Sequence, residues 1–196
     1  MNIVSPNKEV HVNWSDRFLA VTFLKVLPKR VTPNQITIFR FFTVPFVAYF
    51  VYRGIYLPAL ILFAISAFTD ALDGALARTT NRITEWGKTF DPLADKILIG
   101  LTTIMLVPRY LGINLAIVIL AIDMLLIGSA YFFKNTRGKH IRANWWGKIK
   151  MILQSLGVSV LLLYAVVSIP IILLVAQYLL YASVIFAVIS AVTYSL

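Results

Sequence analysis

The sequence contains no cysteine, and its 8 acidic residues are few beside 18 lysines and arginines. The lack of cysteine excludes a disulfide framework and any metal site built on thiolates. The two histidines, His11 and His140, are far apart in sequence and do not form a zinc-type pair. A metal ion bound by this chain would therefore take oxygen ligands, and carboxylates are the obvious source.

Apolar residues are abundant: 60% of the 196 residues are hydrophobic, and the mean hydropathy is +0.84. Such a composition predicts an all-α integral membrane protein. Six apolar segments are each close to the ~20 residues that a bilayer core requires, and we interpret them as six transmembrane helices. They cover residues 36–52, 57–77, 90–107, 111–133, 145–168 and 171–196.

Residues 1–35 are predicted to form a cytosolic arm, and residues 36–196 the membrane domain. Within the arm, apolar residues recur at helical spacing from Trp14 to Leu27, and Pro28 ends the pattern. We expect a short N-terminal helix lying in the membrane interface. An ordinary cytosolic arm is the alternative.

Basic residues are concentrated in the N-terminal arm, in the linker between the second and third segments, and in residues 134–144. The opposite loops contain only Arg53 and Arg109. The positive-inside rule then predicts a multi-pass protein of the cell membrane with both termini in the cytoplasm. The net charge of +10 favours anionic lipid headgroups and phosphorylated substrates as partners, rather than nucleic acid.

Four carboxylates interrupt the apolar pattern near the predicted cytosolic ends of the second and third segments. Asp70 and Asp73 are three residues apart, and Asp91 and Asp95 are four apart, so each pair shares a helix face. Each carboxylate near hydrocarbon costs ~2.5–3.5 kcal/mol, which two divalent ions would offset. Two ions ~3.5–4 Å apart can clamp the entering and leaving oxygens of a phosphoryl displacement. The pattern predicts two Mg²⁺ or Mn²⁺ ions at the cytosolic face.

Small residues and an arginine accompany these carboxylates. Gly74 and Gly87 would let a flat ligand approach the helix backbone closely, and Ala77 keeps the same face shallow. Arg78 offers two parallel hydrogen bonds to a diphosphate.

Together these residues resemble the DG-x-x-AR motif of the CDP-alcohol phosphotransferases, which are integral membrane enzymes of phospholipid synthesis. The opening of the first segment, with Pro33, Asn34, Thr37 and Arg40, is similar to the start of that family's first transmembrane helix. The resemblance implies that CDP-diacylglycerol binds here, in a homodimeric enzyme. The residues implied to bind its CDP moiety are Asn34, Thr37, Asp70, Gly74, Ala77, Arg78 and Gly87.

The resemblance also implies roles for the carboxylates. Asp70, Asp73 and Asp91 would be metal ligands, and Asp95 would be both a ligand and the general base. Asp95 would deprotonate an acceptor hydroxyl, which attacks the lipid-side phosphorus and expels CMP.

The acceptor is less clearly indicated. Residues 91–96 and 147–154 look most like the phosphatidylglycerophosphate synthases and the cardiolipin synthases of this family, which favours glycerol 3-phosphate. Arg40, Arg142 and Lys148 are the predicted contacts to its phosphate. Those relatives usually carry an arginine before an acidic residue in the fourth helix, where this chain has Ile122 and Asp123. Phosphatidylglycerol, an inositol phosphate or an amino alcohol therefore stay open as acceptors, as does compensation by a basic residue such as Arg137.

Three further alternatives stay open at the level of sequence. Intramembrane aspartates, with Arg78 and Lys96 as counterions, also suit a non-catalytic transporter or ion-binding protein. Asp123 fits either packing or acceptor contact. Trp145 and Trp146 fit an interfacial belt better than a stacking platform.

Overall fold

The computed structural model describes the backbone of residues 33–79, 85–137 and 145–195. Six helices and the turns between them account for these residues, with no β-strand in the described ranges. The helices are α1 (Pro33–Tyr52), α2 (Tyr56–Thr79), α3 (Glu85–Tyr110), α4 (Ile113–Arg137), α5 (Trp145–Val167) and α6 (Pro170–Ser195). The prediction of an all-α chain is confirmed, whereas the predicted interfacial helix within residues 1–35 lies outside the described residues.

Three short turns separate successive helices. Residues 53–55 join α1 to α2, residues 111–112 join α3 to α4, and residues 168–169 join α5 to α6. Gly54 and Gly112 adopt φ angles of +72° and +96°, a left-handed conformation that glycine adopts without a Cβ clash. Ser168 adopts φ +57° at a cost of roughly 1–2 kcal/mol. Turns this short make the helices that they join antiparallel neighbours.

Two helices extend further than the apolar segments predicted. Helix α3 begins at Glu85 rather than near residue 90, and α4 ends at Arg137 rather than near residue 133. Hydropathy locates the part of a helix that is suited to hydrocarbon, but backbone hydrogen bonds continue through charged residues.

The chain divides into two compact units. Unit 1 comprises residues 1–44 and 65–95, and unit 2 comprises residues 45–64 and 96–196. The described part of unit 1 therefore holds the beginning of α1, the end of α2 and the beginning of α3. Unit 2 holds the remainder of these three helices together with α4, α5 and α6.

In unit 2, α6 packs against both α5 and α4. The contact between α5 and α6 is close because Gly157 lies against the buried side chain of Leu180. Small residues at such contacts let helix backbones approach each other, which is how helices associate within a bilayer.

Polar and apolar residues in unit 2 are distributed as in a protein surrounded by lipid. Buried hydroxyls bond to carbonyls of their own helix, as Thr102 does to Leu98 and Ser183 to Leu180, both at 2.7 Å. Large apolar side chains are exposed instead, and Met124 of α4 is 69% exposed. A bilayer solvates such side chains, whereas it cannot satisfy unpaired polar groups.

By length and composition, two of the described helices can cross a bilayer: α5 over Trp145–Val167 and α6 over Pro170–Thr193. Helices α1, α2 and α4 contain shorter apolar stretches, which are Ile38–Tyr52, Tyr56–Thr69 and Ile113–Ser129. The six-span count stays a prediction.

Candidate active site

Hydroxyl contacts join α1 to α2 in unit 1. Thr43 Oγ1 donates to the carbonyl of Arg40 at 2.8 Å and lies 3.2 Å from Ser66 Oγ. The single hydroxyl proton of Thr43 is used by the carbonyl, so Ser66 donates across to Thr43. Ser66 is completely buried. This contact holds α1 against the turn of α2 that precedes Asp70.

Helix geometry relates Ser66 to the first carboxylate pair. Positions 66, 70, 73 and 77 follow each other at spacings of four, three and four, so they share one face of α2. The contact between Ser66 and Thr43 shows that this face of α2 lies against α1 one turn before Asp70. The side chains of Asp70 and Asp73 lie outside the described residues.

The second carboxylate pair lies in the first three turns of α3. Phe90 contacts Phe41 of α1 edge-to-face, with ring centroids 6.2 Å apart, and Ala94 is completely buried. Asp95 follows Ala94 directly and is half-buried. The Asp91 side chain is not described, so Asp95 is the one motif carboxylate whose side chain the structure describes. The convergence of all four stays a prediction.

Arg40 is completely buried in unit 1. It lies on the inward face of α1, one turn before the buried residues Thr43 and Val44. The described part of unit 1 thus contains a completely buried cation, Arg40, and a half-buried carboxylate, Asp95.

The other predicted nucleotide contacts are placed only by their helices. Asn34 and Thr37 lie in the first two turns of α1. Gly74, Ala77 and Arg78 lie near the end of α2, and Gly87 lies in the first turn of α3. Their side-chain surroundings are outside the described residues.

Of the two predicted acceptor contacts beyond α1, Arg142 lies outside the described residues. Lys148 lies on α5 in unit 2 and is exposed, with its ammonium 5.4 Å from the ring centroid of Trp145. Trp145 is 76% exposed, whereas Trp146 stacks on Phe186 of α6 with centroids 5.8 Å apart. The two tryptophans therefore differ: Trp146 contacts α6, whereas the greater exposure of Trp145 matches the interfacial alternative.

A polar cluster in unit 2 contains Asp123, for which the sequence allowed either a packing role or contact with the acceptor. Lys150 of α5 is buried and forms a salt bridge with Asp123 of α4. Gln154, one turn along α5, donates to the other carboxylate oxygen at 3.0 Å. Both carboxylate oxygens of Asp123 are therefore bonded to side chains of α5, which favours the packing alternative.

The sequence analysis did not identify this pairing. A signal was present: Lys150, Gln154 and Gly157 recur at helical spacing along with apolar residues, and all are buried on one face of α5.

Comparison with known proteins agrees with the motif. The family model described as CDP-alcohol phosphatidyltransferase matches residues 30–189, which include all eight motif positions. A Bacillus subtilis protein named CDP-diacylglycerol--glycerol-3-phosphate 3-phosphatidyltransferase is 33% identical over 183 residues, covering 86% of this chain and 92% of the relative. A Rickettsia typhi protein of the same name is 33% identical over 135 residues, covering 67% of this chain and 75% of the relative.

A third similar protein of that name, from Salmonella typhimurium, is 28% identical over 137 residues, covering 66% of this chain and 75% of the relative. The match extends well beyond the motif, over most of the described helices. Because the matching family consists of transferases, it argues against the alternative of a non-catalytic transporter. The chain belongs to the CDP-alcohol phosphatidyltransferase family.

Proposed function

We propose that this protein transfers the phosphatidyl group of CDP-diacylglycerol to the hydroxyl of glycerol 3-phosphate, giving phosphatidylglycerophosphate and CMP. The observation that carries the proposal is the set of eight motif residues at the end of α2 and the beginning of α3, within the family match. The names of the similar proteins specify the same donor and acceptor.

Asp95 is the proposed general base. Its carboxylate takes the proton of the acceptor hydroxyl, whose oxygen forms a bond to the lipid-side phosphorus. The bond between that phosphorus and the CMP oxygen breaks, and CMP leaves. The half-buried position of Asp95, next to buried Ala94 in the chain, supports this role because it is partly shielded from bulk water.

The residues present suit a pair of hard divalent ions, because the motif offers four carboxylates and the sequence contains no thiol. Asp70, Asp73, Asp91 and Asp95 would hold them. Mg²⁺ or Mn²⁺ bound there would supply charge neutralisation for the diphosphate and a lower pKa for the acceptor hydroxyl. Arg78 would bind the diphosphate, and the small residues at positions 74, 77 and 87 would leave room for the cytidine.

Glycerol 3-phosphate brings a dianionic phosphate that needs cations beside the carboxylates. Buried Arg40 is the best-supported candidate, because it shares unit 1 with Asp95. Arg142 and Lys148 stay candidates on the basis of the sequence alone. Ile122 replaces the arginine that relatives usually carry in the fourth helix, and Lys150 is paired with Asp123. We therefore assign the acceptor phosphate to unit 1 rather than to the α4–α5 contact.

We further propose six membrane spans, cytoplasmic termini, an active site at the cytosolic face and a homodimer. The short turns, the apolar exposed faces and the distribution of basic residues support the topology. The family resemblance alone supports the dimer, which the mass of the purified protein in detergent would test.

Release of CMP tests the proposed reaction. The purified protein is incubated with CDP-diacylglycerol, Mg²⁺ or Mn²⁺, and one acceptor from a panel of glycerol 3-phosphate, phosphatidylglycerol, inositol phosphate, serine and ethanolamine. Among these acceptors, we expect only glycerol 3-phosphate to support CMP release, with phosphatidylglycerophosphate as the lipid product. CMP release with another acceptor would retain the chemistry and overturn the acceptor, and no release with any of them would overturn both.

A further inference from the structure

Three helix ends meet at one end of unit 2. Tyr56 begins α2, Tyr110 ends α3, and Tyr164 lies in the last turn of α5. The ring centroids of Tyr56 and Tyr110 are 6.3 Å apart, and those of Tyr110 and Tyr164 are 5.4 Å apart, both edge-to-face. Edge-to-face contacts of this kind hold the three helix ends together.

One arginine contacts this tyrosine cluster, and a second lies in the turn that precedes Tyr56. Arg109 precedes Tyr110, and its Cζ lies 5.6 Å from the ring centroid of Tyr56. Arg53, in the turn before Tyr56, has its Cζ 6.0 Å from the ring centroid of Tyr49. Both side chains are exposed. Stacking on a ring orients a guanidinium but leaves its charge unneutralised.

No side-chain carboxylate of unit 2 is available as a counterion for these arginines. Its sequence contains one acidic residue, Asp123, which is paired with Lys150. Asp123 lies ten residues beyond the start of α4 at Ile113, about 15 Å along the helix. The described part of the unit therefore leaves Arg53 and Arg109 without an internal counterion, and an anion from outside the chain would supply one.

The residues around the arginines indicate which anion this is. Exposed apolar or amphipathic side chains surround the three turns: Tyr52, Ile55, Ile113 and Ile169. Arginines and tyrosines beside apolar side chains are typical of the level at which lipid phosphates lie in a bilayer. A freely soluble anion would not require the apolar surroundings.

We propose that Arg53 and Arg109 form a binding surface for the phosphate of an anionic phospholipid, at the end of unit 2 that carries these turns. The surface is separate from the proposed catalytic residues and takes intact lipid rather than substrate. It rests on the membrane topology proposed above. Each arginine is expected to favour an anionic lipid over a zwitterionic one by about fivefold.

A single introduced cysteine tests the surface, because the chain has none of its own. Exposed Ile55 is changed to cysteine and labelled with a fluorophore, and the full-length protein is reconstituted in phosphatidylcholine. Spin-labelled phosphatidylglycerol or spin-labelled phosphatidylcholine is then added at equal mole fraction. We expect phosphatidylglycerol to quench the fluorophore severalfold more strongly, and R53Q/R109Q to abolish the difference. R53K/R109K keeps the charge and should keep most of the preference.

The matched control carries the fluorophore at Val188→Cys, an exposed site on α6, where both lipids should quench equally. Equal quenching at position 55, or a preference that survives R53Q/R109Q, would overturn the proposal. Loss of the preference on adding inorganic phosphate would show a general anion site and overturn the assignment to lipid. Absence of quenching by either lipid would place the turn outside the membrane and overturn this proposal, while leaving the proposed transfer reaction untouched.

Discussion

At the scale of single residues, the pairing of Asp123 with Lys150 shows how this chain accommodates charge among apolar helices. Both ions lie between α4 and α5, and Gln154 occupies the second carboxylate oxygen. Burying two ions is costly, and their attraction repays that cost only when their remaining hydrogen bonds are also satisfied. Removing one partner therefore costs more than removing both.

Lys150→Met should lower the thermal unfolding midpoint in detergent, because it leaves the part-buried Asp123 carboxylate without its cation. A loss of about 3–5 kcal/mol is expected. The double variant D123L/K150M should recover most of this loss, since neither charge remains. If Lys150→Met unfolds at the wild-type temperature, or if the double variant is no more stable than the single one, the pair does not have this role.

Sequence reasoning reached the motif carboxylates but not this pair. The motif residues are recognisable because their spacing is local, within single turns of a helix. Asp123 and Lys150 are 27 residues apart and on different helices, so only their packing reveals the contact. The complete burial of Arg40 was likewise not predicted, because a charge near the end of an apolar segment can also extend to the membrane interface.

At the scale of helices, close packing between α5 and α6 depends on Gly157. A Cβ at this position would lie 2.9 Å from Leu180 Cγ and Cδ2, and 3.3 Å from Leu179 Cβ. Leu180 is itself completely buried, so it cannot move away without disturbing its neighbours.

Gly157→Ala should destabilise the protein by about 1–3 kcal/mol through overpacking, measured as a lower unfolding midpoint in detergent. Gly128→Ala on α4 is the matched control, because nothing lies within 4 Å of a Cβ there. The control should unfold at the wild-type temperature or slightly above it, since alanine favours helix over glycine. Equal midpoints for the two variants would contradict the packing argument.

The helices themselves were largely predictable from hydropathy, because a bilayer core fixes the length of an apolar segment. The positions of the helix ends were less predictable. The beginning of α3 at Glu85 lies in charged sequence that hydropathy assigns to a linker. The turns at Gly54 and Gly112 depend on a left-handed backbone, which glycine permits but does not require.

At the scale of the whole molecule, acidic and basic residues are distributed unevenly along the sequence. Seven of the 8 acidic residues precede residue 96, and the eighth is Asp123. The basic residues are concentrated in three of the predicted cytosolic stretches, so the proposed topology places most of the charge on one side of the membrane.

Single cysteines test this topology cleanly, because the chain has no cysteine to remove. We expect a membrane-impermeant maleimide to label Ile55→Cys, Ile113→Cys and Ile169→Cys from outside intact cells. These exposed residues lie in or next to the three short turns. Trp145→Cys, exposed at the start of α5, should be labelled only after permeabilisation. Labelling of Trp145→Cys in intact cells would reverse the proposed orientation.

Family membership was predictable for the same reason that the motif was: its spacings lie within two consecutive helices. The acceptor was harder to predict, because its pocket depends on cations from several helices. Lys148 and Arg40 illustrate the difference: both were candidates by sequence, yet one is exposed on α5 and the other is buried in unit 1.

The most direct test of the proposed chemistry is the rate of CMP release by Asp95→Asn, with saturating CDP-diacylglycerol, glycerol 3-phosphate and Mg²⁺. Glu85→Gln removes the one acidic residue of α3 that lies outside the motif, and serves as the control. Loss of the general base should slow Asp95→Asn by about 10²–10⁴-fold, while Glu85→Gln should keep the wild-type rate. A folded Asp95→Asn protein that releases CMP at the wild-type rate would contradict the account.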